Sequence, residues 1–146
     1  MKEQLLPLIL SLGCPQARAE GLADDVAAVV ATERPLFAGT DARRRTARLL
    51  AVWAWHESSG RADAVGDGGR ACGVMQLHEH ARNGTPCETI LKDRRLGLRL
   101  GLRYMRQAVA YCGGSVTAGL SAYASGICRG AERVDKLVHA RMRRAR

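Results

Sequence analysis

The sequence has few aromatic residues, no long apolar run, no internal repeat and a shortage of acidic side chains. Phe, Tyr and Trp make up 4% of the 146 residues, so the residue types that favour β-strands and that stack on nucleic-acid bases are scarce. No apolar stretch reaches the roughly 18 to 20 residues of a membrane span. No repeat or low-complexity linker marks a domain boundary. These absences argue against a β-rich fold, a membrane-spanning protein and a multidomain chain.

The abundant residue types point to helices instead. Ala, Leu and Arg are strong helix formers and dominate the composition. A chain of 146 residues is also long enough for one domain with a buried core. We therefore predict an all-α fold with at most a very small hairpin. The expected helices cover about 22–34, 42–56, 93–111, 116–123 and 132–144, with a loop or irregular hairpin over 60–73.

Basic residues outnumber acidic ones by 23 to 14, which gives a net charge of +9. Such a surplus favours nucleic acid, an anionic membrane or an anionic polymer such as the cell wall as partner, or it marks a soluble domain from an arginine-rich proteome. Two groups of arginines are predicted to be solvated, one as a helix stripe and one at the last helix end. They are Arg95, Arg99, Arg103 and Arg106, and Arg141, Arg143, Arg144 and Arg146.

Five cysteines are many for this length, and none forms a Cys-x-x-Cys pair, which argues against a zinc ribbon or a redox motif. Two local disulfides in an oxidising compartment, or reduced thiols packed in a core, both fit their spacing. The cysteines are Cys14, Cys72, Cys87, Cys112 and Cys128.

The N-terminal segment from Met1 to Cys14 is apolar and carries one lysine. It resembles a lipoprotein export signal only loosely, because Glu3 offsets the lysine and Pro7 interrupts a short run. A packed amphipathic segment fits these residues equally well, so the export signal is not convincing.

Glu57 is the residue with the clearest chemical potential. Leu50, Trp53, Ala54 and Glu57 are spaced to share one face of the second predicted helix. An apolar face and the negative end of a helix both disfavour a carboxylate, so Glu57 is expected to hold its proton and to serve as a general acid. The alternative is a glutamate that ends a helix and faces solvent.

Three short motifs in order give this expectation a family context. Glu57-Ser58 is followed by Gly-Val-Met-Gln, ending at Gln76, and later by Ala-Tyr-Ala-Ser-Gly around Tyr123. The order resembles the soluble lytic transglycosylase and goose-type lysozyme superfamily, over roughly residues 49 to 130. The resemblance implies a lysozyme-like helical domain with a substrate cleft. It also implies a peptidoglycan-cleaving glycosidase that cuts between N-acetylmuramic acid and N-acetylglucosamine.

Carried over residue by residue, the resemblance makes Glu57 the catalytic acid and places Ser58, Gln76 and Tyr123 at the substrate. Their bland alternatives are a capping hydroxyl, a surface amide and a core aromatic. The sequence departs from the family where Ala124 follows Tyr123, since the family usually has asparagine there. Ser125 then substitutes for that amide, or the contact is lost.

Asp67 bears on the choice between two chemistries. In goose-type lysozymes an aspartate at this place is thought to position water, and an inverting hydrolase needs such a second carboxylate. A lytic transglycosylase needs only the acid, because the sugar's own 6-hydroxyl attacks. Asp67 marginally favours the hydrolase, although a plain turn residue fits as well, and Asp63 is a weaker candidate.

No cofactor or metal is expected. His78 and His80 flank Glu79 without His-Glu-x-x-His spacing, and the glycine-rich loop lacks a phosphate-binding signature, which argues against a nucleotide. Peptidoglycan glycan strands are the expected partner, with virion or envelope components as further candidates. Nucleic acid is not expected, since only the charge supports it. The alternative function is an inactive wall-binding component of a phage virion or envelope machine.

The predicted organisation is one lysozyme-like domain over 1–146. Within it, 1–40 is an N-terminal helical segment packed on the core, 41–130 is the catalytic core and 131–146 is a basic C-terminal helix. Such a protein acts on the cell wall, in the periplasm or outside the cell.

Overall fold

A computed structural model describes residues 1–129 and 136–146 of the chain. Within these ranges there are seven α-helices and one two-stranded antiparallel hairpin, so the predicted all-α fold with a very small hairpin is confirmed. The elements are α1 (Lys2–Ser11), α2 (Gln16–Thr32), α3 (Ala42–Ser58), β1 (Val65–Gly66), β2 (Ala71–Cys72), α4 (Cys87–Lys92), α5 (Arg94–Tyr111), α6 (Val116–Ser125) and α7 (Lys136–Arg144). The predicted last helix began at 132, and its residues 132–135 lie outside the described ranges.

The N-terminal segment forms α1 and packs into the body of the protein. Leu5 and Ile9 are completely buried there, and α1 contacts both α2 and α3. The following helix α2 begins at Gln16, earlier than the predicted start near Leu22, because Ala19 already belongs to its buried face. The apolar character of the segment is therefore used in the core. No helix of the described ranges combines the length and apolarity that crossing a bilayer requires.

Helix α3 is the central element of the core. Leu50, Trp53 and Ala54 are at most 1% exposed, which confirms the predicted apolar face. The helix continues two residues beyond the predicted end at His56, and Ser59 closes it in the left-handed conformation (φ 55°, ψ 32°). Glu57 therefore lies inside the last turn of α3.

Helix α6 packs closely against α5 because it carries a glycine at the contact. A Cβ atom on Gly119 of α6 would overlap the backbone of Val109 on α5, and one on Gly101 would overlap the Met75 side chain. This close packing brings the C-terminal half of α6 and the turn that contains Met75 to the same side of α5.

The arginines of α5 form a partly exposed stripe, as predicted, but they are also paired with carboxylates at α2. Arg95 lies 2.6 Å from Asp25, and three further arginines surround Glu33 at the end of α2. Their distances to Glu33 oxygens are 3.3 Å for Arg99, 3.0 Å for Arg103 and 3.1 Å for Arg106. The side chains stay partly exposed, but α2 packs along α5 and supplies acidic partners that helical periodicity on α5 alone does not reveal.

The sequence allowed either two local disulfides or reduced, buried thiols, and the structure contains two disulfides. Cys72 pairs with Cys87 at a Cα–Cα distance of 5.7 Å, and Cys112 pairs with Cys128 at 5.5 Å. Cys14 is a free, buried thiol. The first bond closes the segment from β2 to α4, and the second joins the end of α5 to the residues after α6.

Removing either disulfide is expected to destabilise the protein markedly. The bonds span 15 and 16 residues, and closing a loop of this size restricts the unfolded chain by about 3 kcal/mol. Urea unfolding of the Cys72→Ser/Cys87→Ser and Cys112→Ser/Cys128→Ser variants measures the loss. As a control, a thiol reductant should lower the melting temperature of the wild type and leave a variant that lacks all four cysteines unchanged. Equal stability of wild type and both paired variants would contradict the expectation.

Candidate active site

Glu57 lies on the wall of an open cavity between the end of α3, the hairpin and α6. The cavity has a volume of about 270 Å³, and the side chain of Glu57 is 24% exposed. The lining residues are Glu57, Asp67, Ala71, Met75, Gln76, His78, Tyr123 and Ala124. Three of the residues singled out from the sequence, Asp67, Gln76 and Tyr123, thus share a cavity with the predicted acid.

An unexpected partner of Glu57 comes from the C-terminal helix. Nη1 of Arg141 on α7 donates to Oε1 of Glu57 at 2.5 Å, and the guanidinium lies over the ring of Trp53, 4.5 Å from its centroid. Arg141 is 5% exposed, so its predicted place on a solvated helix end is wrong. A signal existed in the sequence, since Val138, Arg141 and Ala145 recur at helical spacing and all three are buried.

Tyr123 connects the end of α6 to the turn beside the acid. Its hydroxyl donates to the carbonyl oxygen of Met75 at 3.1 Å, and its ring meets Trp53 edge to face at 5.5 Å. Burial, reinforced by the nearby Glu57 carboxylate, raises the pKa of the Tyr123 hydroxyl far above its ordinary value of 10.0. The hydroxyl therefore keeps its proton near neutral pH and serves as a hydrogen-bond donor.

Gln76 holds the hairpin together while it lines the cavity. Its side-chain nitrogen donates to the carbonyl oxygens of Gly73 at 2.9 Å and Ala64 at 3.2 Å. A Cβ atom at Gly66 would overlap Oε1 of Gln76, so with a larger residue there the amide would have to move. The amide is used internally, and a role towards substrate stays a prediction.

Ser58 contacts backbone atoms. Its hydroxyl lies 3.1 Å from the carbonyl oxygen of Ala54 and 2.9 Å from that of Val74. These contacts tie the last turn of α3 to the segment after β2. Ser125, considered as a substitute for the asparagine that Ala124 replaces, donates instead to the carbonyl oxygen of Ser121 at 2.9 Å.

Asp67 begins a short turn between the two strands, with a positive φ of 50°. Its carboxylate pairs with Arg70 at 3.0 Å and approaches Nε2 of His78 at 3.4 Å. Asp67 therefore has a fixed place on the same cavity as Glu57. Asp63, the weaker candidate, is 74% exposed and pairs with Arg61.

His56 completes a group of charged side chains at the end of α3. Its Nε2 atom lies 2.9 Å from Nη1 of Arg144, the second contact between α7 and this end of α3. Burial, together with the cations Arg141 and Arg144, lowers the pKa of His56 below its ordinary value of 6.5. The neutral imidazole accepts the hydrogen bond from Arg144, and its protonation would break this contact.

A second cavity continues the first and extends it into a groove. It has a volume of about 230 Å³ and also contains Gln76, His78 and Tyr123 in its wall. Tyr104 lies beside Tyr123 at 5.3 Å between ring centroids, and His80 lies 5.5 Å from Tyr104. Aromatic faces with polar edges suit a sugar chain, which presents alternating apolar faces and hydroxyls.

The His78-Glu79-His80 sequence does not gather further ligands. Among residues 1–129 and 136–146 there is no group of three or more His, Cys, Asp or Glu side chains placed to hold a metal ion. The two histidine rings stack at 6.1 Å, and His78 is directed towards Asp67. Both histidines contribute to the groove described above.

Comparison with known proteins identifies the family of this chain. The family model of the transglycosylase SLT domain matches residues 35–140, which is nearly three quarters of the chain. No curated protein and no solved structure matched the chain. Members of this family act on peptidoglycan of the cell wall by lytic transglycosylase activity. The matched range contains Glu57, Asp67, Gln76 and Tyr123, and the chain belongs to the transglycosylase SLT family.

Proposed function

We propose that this protein cleaves the β-1,4 bond between N-acetylmuramic acid and N-acetylglucosamine in peptidoglycan, with Glu57 as general acid. The observation that carries the proposal is the position of Glu57 in the last turn of α3, on a cavity that Gln76 and Tyr123 also line. A carboxyl group at such a wall reaches a glycosidic oxygen bound in the groove. Gln76 and Tyr123 are proposed to bind the glycan, and Ser58 to keep the end of α3 in place.

The first chemical step is proton transfer. The carboxyl group of Glu57 gives its proton to the oxygen that links the two sugars, and the bond from C1 of N-acetylmuramic acid to this oxygen breaks. The electron pair leaves with the oxygen, positive charge develops at C1, and Glu57 becomes a carboxylate.

The second step closes a ring within the same sugar. The 6-hydroxyl oxygen of N-acetylmuramic acid attacks C1, and its proton passes to the Glu57 carboxylate. The product carries a 1,6-anhydro bond, Glu57 regains its proton, and no water is consumed. The family match supports this transglycosylase route for the chain.

Hydrolysis is the second candidate, and Asp67 is the observation that favours it. Asp67 lines the same cavity as Glu57, and a second carboxylate across a cleft activates water in inverting glycosidases. Its contacts to Arg70 and His78 hold it in place. In this route water attacks C1 in place of the 6-hydroxyl, and the product has a reducing end.

Mass spectrometry of muropeptides released from purified sacculi tests the proposal. We expect anhydro ends, lighter by one water than reducing ends, from the wild type. Asp67→Asn is expected to keep producing them at a rate within about tenfold of wild type, because the transglycosylase route needs only one carboxyl group. Reducing ends that vanish in Asp67→Asn would identify a hydrolase.

A sacculus pull-down separates both routes from a role without turnover. Binding of the wild type to sacculi with no released muropeptide would contradict the proposal and indicate a wall-binding component. Such a result would fit the sequence at Ala124, which stands where the family usually has asparagine. The two disulfides support action in an oxidising place, in the periplasm or outside the cell.

A further inference from the structure

Arg141 occupies a place that is costly for an arginine. Its side chain is 6% exposed, and its guanidinium is enclosed between the ring of Trp53 and the carboxylate of Glu57. Taking a charge out of water is strongly unfavourable unless the charge is paired and hydrogen-bonded. A hydrophobic side chain on this face of α7, like Val138 on the same face, would fill the position without that cost.

The pairing of Arg141 is also incomplete. Its Nε atom is buried and has no hydrogen-bond partner within residues 1–129 and 136–146. A buried donor without a partner lowers stability, because the water contacts that it loses on folding are not replaced. The contact to Glu57 is thus the main polar interaction of this guanidinium in the described part of the chain, and the arrangement favours the function of Glu57 over stability.

We propose that Arg141 is a positioning residue for the cleavage reaction. Its guanidinium holds Oε1 of Glu57 and stabilises the negative charge that Glu57 acquires when it gives up its proton. The inference rests on the proposed function of Glu57 as acid and adds a second residue to it.

The division of work between the two carboxyl oxygens follows from this contact. Oε1 accepts the hydrogen bond from Arg141, so Oε2 carries the proton that passes to the glycosidic oxygen. When the C1–oxygen bond breaks, the new carboxylate lies against a cation that stays protonated at every pH of interest. When the attacking hydroxyl returns a proton to Oε2, the ion pair is weakened again and the cycle is complete.

Other charged and titratable groups face Glu57 and contribute to the pH response. They are His56 on α3, Asp67 in the hairpin, His78 after it, Tyr123 on α6, and Arg141 and Arg144 on α7. Asp67 and His78 are partly solvated, and Tyr123 stays neutral. Arg141 is the buried cation in direct contact with the carboxyl group, so its removal is expected to have the largest effect.

The test is the pH profile of sacculus cleavage by wild type and Arg141→Met. Methionine keeps an unbranched side chain over Trp53 and removes the charge. We expect the alkaline limb of the profile, where cleavage falls because the acid has lost its proton, to move to higher pH in Arg141→Met, since the cation that favours the carboxylate is gone. The plateau kcat is expected to fall roughly tenfold, because a weaker and less ordered acid transfers its proton more slowly. KM should stay near the wild-type value, since Arg141 lies behind Glu57.

Two variants control for general effects. Arg143→Gln removes a positive charge from an exposed position of the same helix and should leave the limb and kcat unchanged. Arg141→Lys keeps the charge and should keep the limb at the wild-type pH. If circular dichroism shows that Arg141→Met does not fold, Arg141→Lys decides, and a limb displaced by about one unit or more would overturn the proposal.

The outcomes separate this inference from the proposed function. A wild-type limb and kcat in Arg141→Met, or an equal shift in Arg143→Gln, would overturn the role of Arg141 while Glu57 remained the acid. If Glu57→Gln instead cleaved sacculi at the wild-type rate, Glu57 would not be the acid. The proposed function and the role of Arg141 would then both be overturned.

Discussion

Replacing Glu57 with glutamine is expected to reduce the release of muropeptides from sacculi by about 10²- to 10⁴-fold, the usual contribution of a positioned general acid. Glutamine has nearly the same shape, and its amide oxygen still accepts a hydrogen bond from Arg141. It has no proton of suitable acidity to give to the leaving oxygen. The loss should therefore appear in kcat, with binding to sacculi retained.

The same variant should remain folded but melt at a lower temperature. The carboxylate form of Glu57 balances the charge of the buried Arg141 guanidinium, and the glutamine amide can supply only the hydrogen bond, so we expect a loss of about 1–2 kcal/mol. Circular dichroism and thermal unfolding measure both effects. Glu88→Gln makes the same substitution at an exposed position of α4 and should change neither activity nor stability. Full activity of Glu57→Gln would exclude Glu57 as the acid.

The second large effect is expected at Glu33, which has no role in the cleft and is central to the pairing of α2 with α5. Its side chain is 10% exposed and lies among three arginines. Glu33→Gln leaves these cations without their counter-charge, and we expect the free energy of unfolding to fall by about 3 kcal/mol at neutral pH. Urea unfolding measures the change. Glu20→Gln, at an exposed position of the same helix, is the matched control.

The effect of Glu33 should depend on pH in a defined direction. Burial alone would raise the pKa of this carboxyl, but the hydrogen bonds and charges of Arg103 and Arg106 outweigh it and hold the pKa below the ordinary 4.5. The unfolded chain therefore binds the proton first, and this stabilisation is present above pH 4.5 and is lost as the pH falls through the folded-state value. The difference between wild type and Glu33→Gln should shrink over that range. A difference that stays constant there would contradict this account.

Much of the fold could be predicted from local sequence patterns. Periodic apolar residues placed α3 and α5 within one or two residues of their observed ends, and Gly-rich turns located the hairpin. The face that carries Trp53 was identified from the helical spacing of Leu50, Trp53 and Ala54, and all three residues are buried. α1 was less certain, since a short apolar run with Pro7 fits both a packed helix and a signal.

The site residues that belong to the ordered motifs were predicted from the sequence. The residue that reaches the site through a contact between distant segments was missed. Glu57, Asp67, Gln76 and Tyr123 were singled out, and the structure places them on one cavity. Arg141 was assigned to solvent because it lies in a run of arginines, and such runs usually mark a hydrated helix end. Its partner lies 84 residues away, and pairing over such a distance follows from packing that the sequence of either helix does not contain.

The contact between Arg141 and Glu57 also bears on which segment of the chain could be grafted into another protein. The family match ends at residue 140, immediately before Arg141, and begins after α1 and α2, which complete the core. A family is delimited by what many chains share, whereas a cooperative unit is delimited by what one chain packs together. A graft cut at the limits of the match would carry the acid without the cation that adjoins it. In this protein the buried core includes residues on both sides of the matched range.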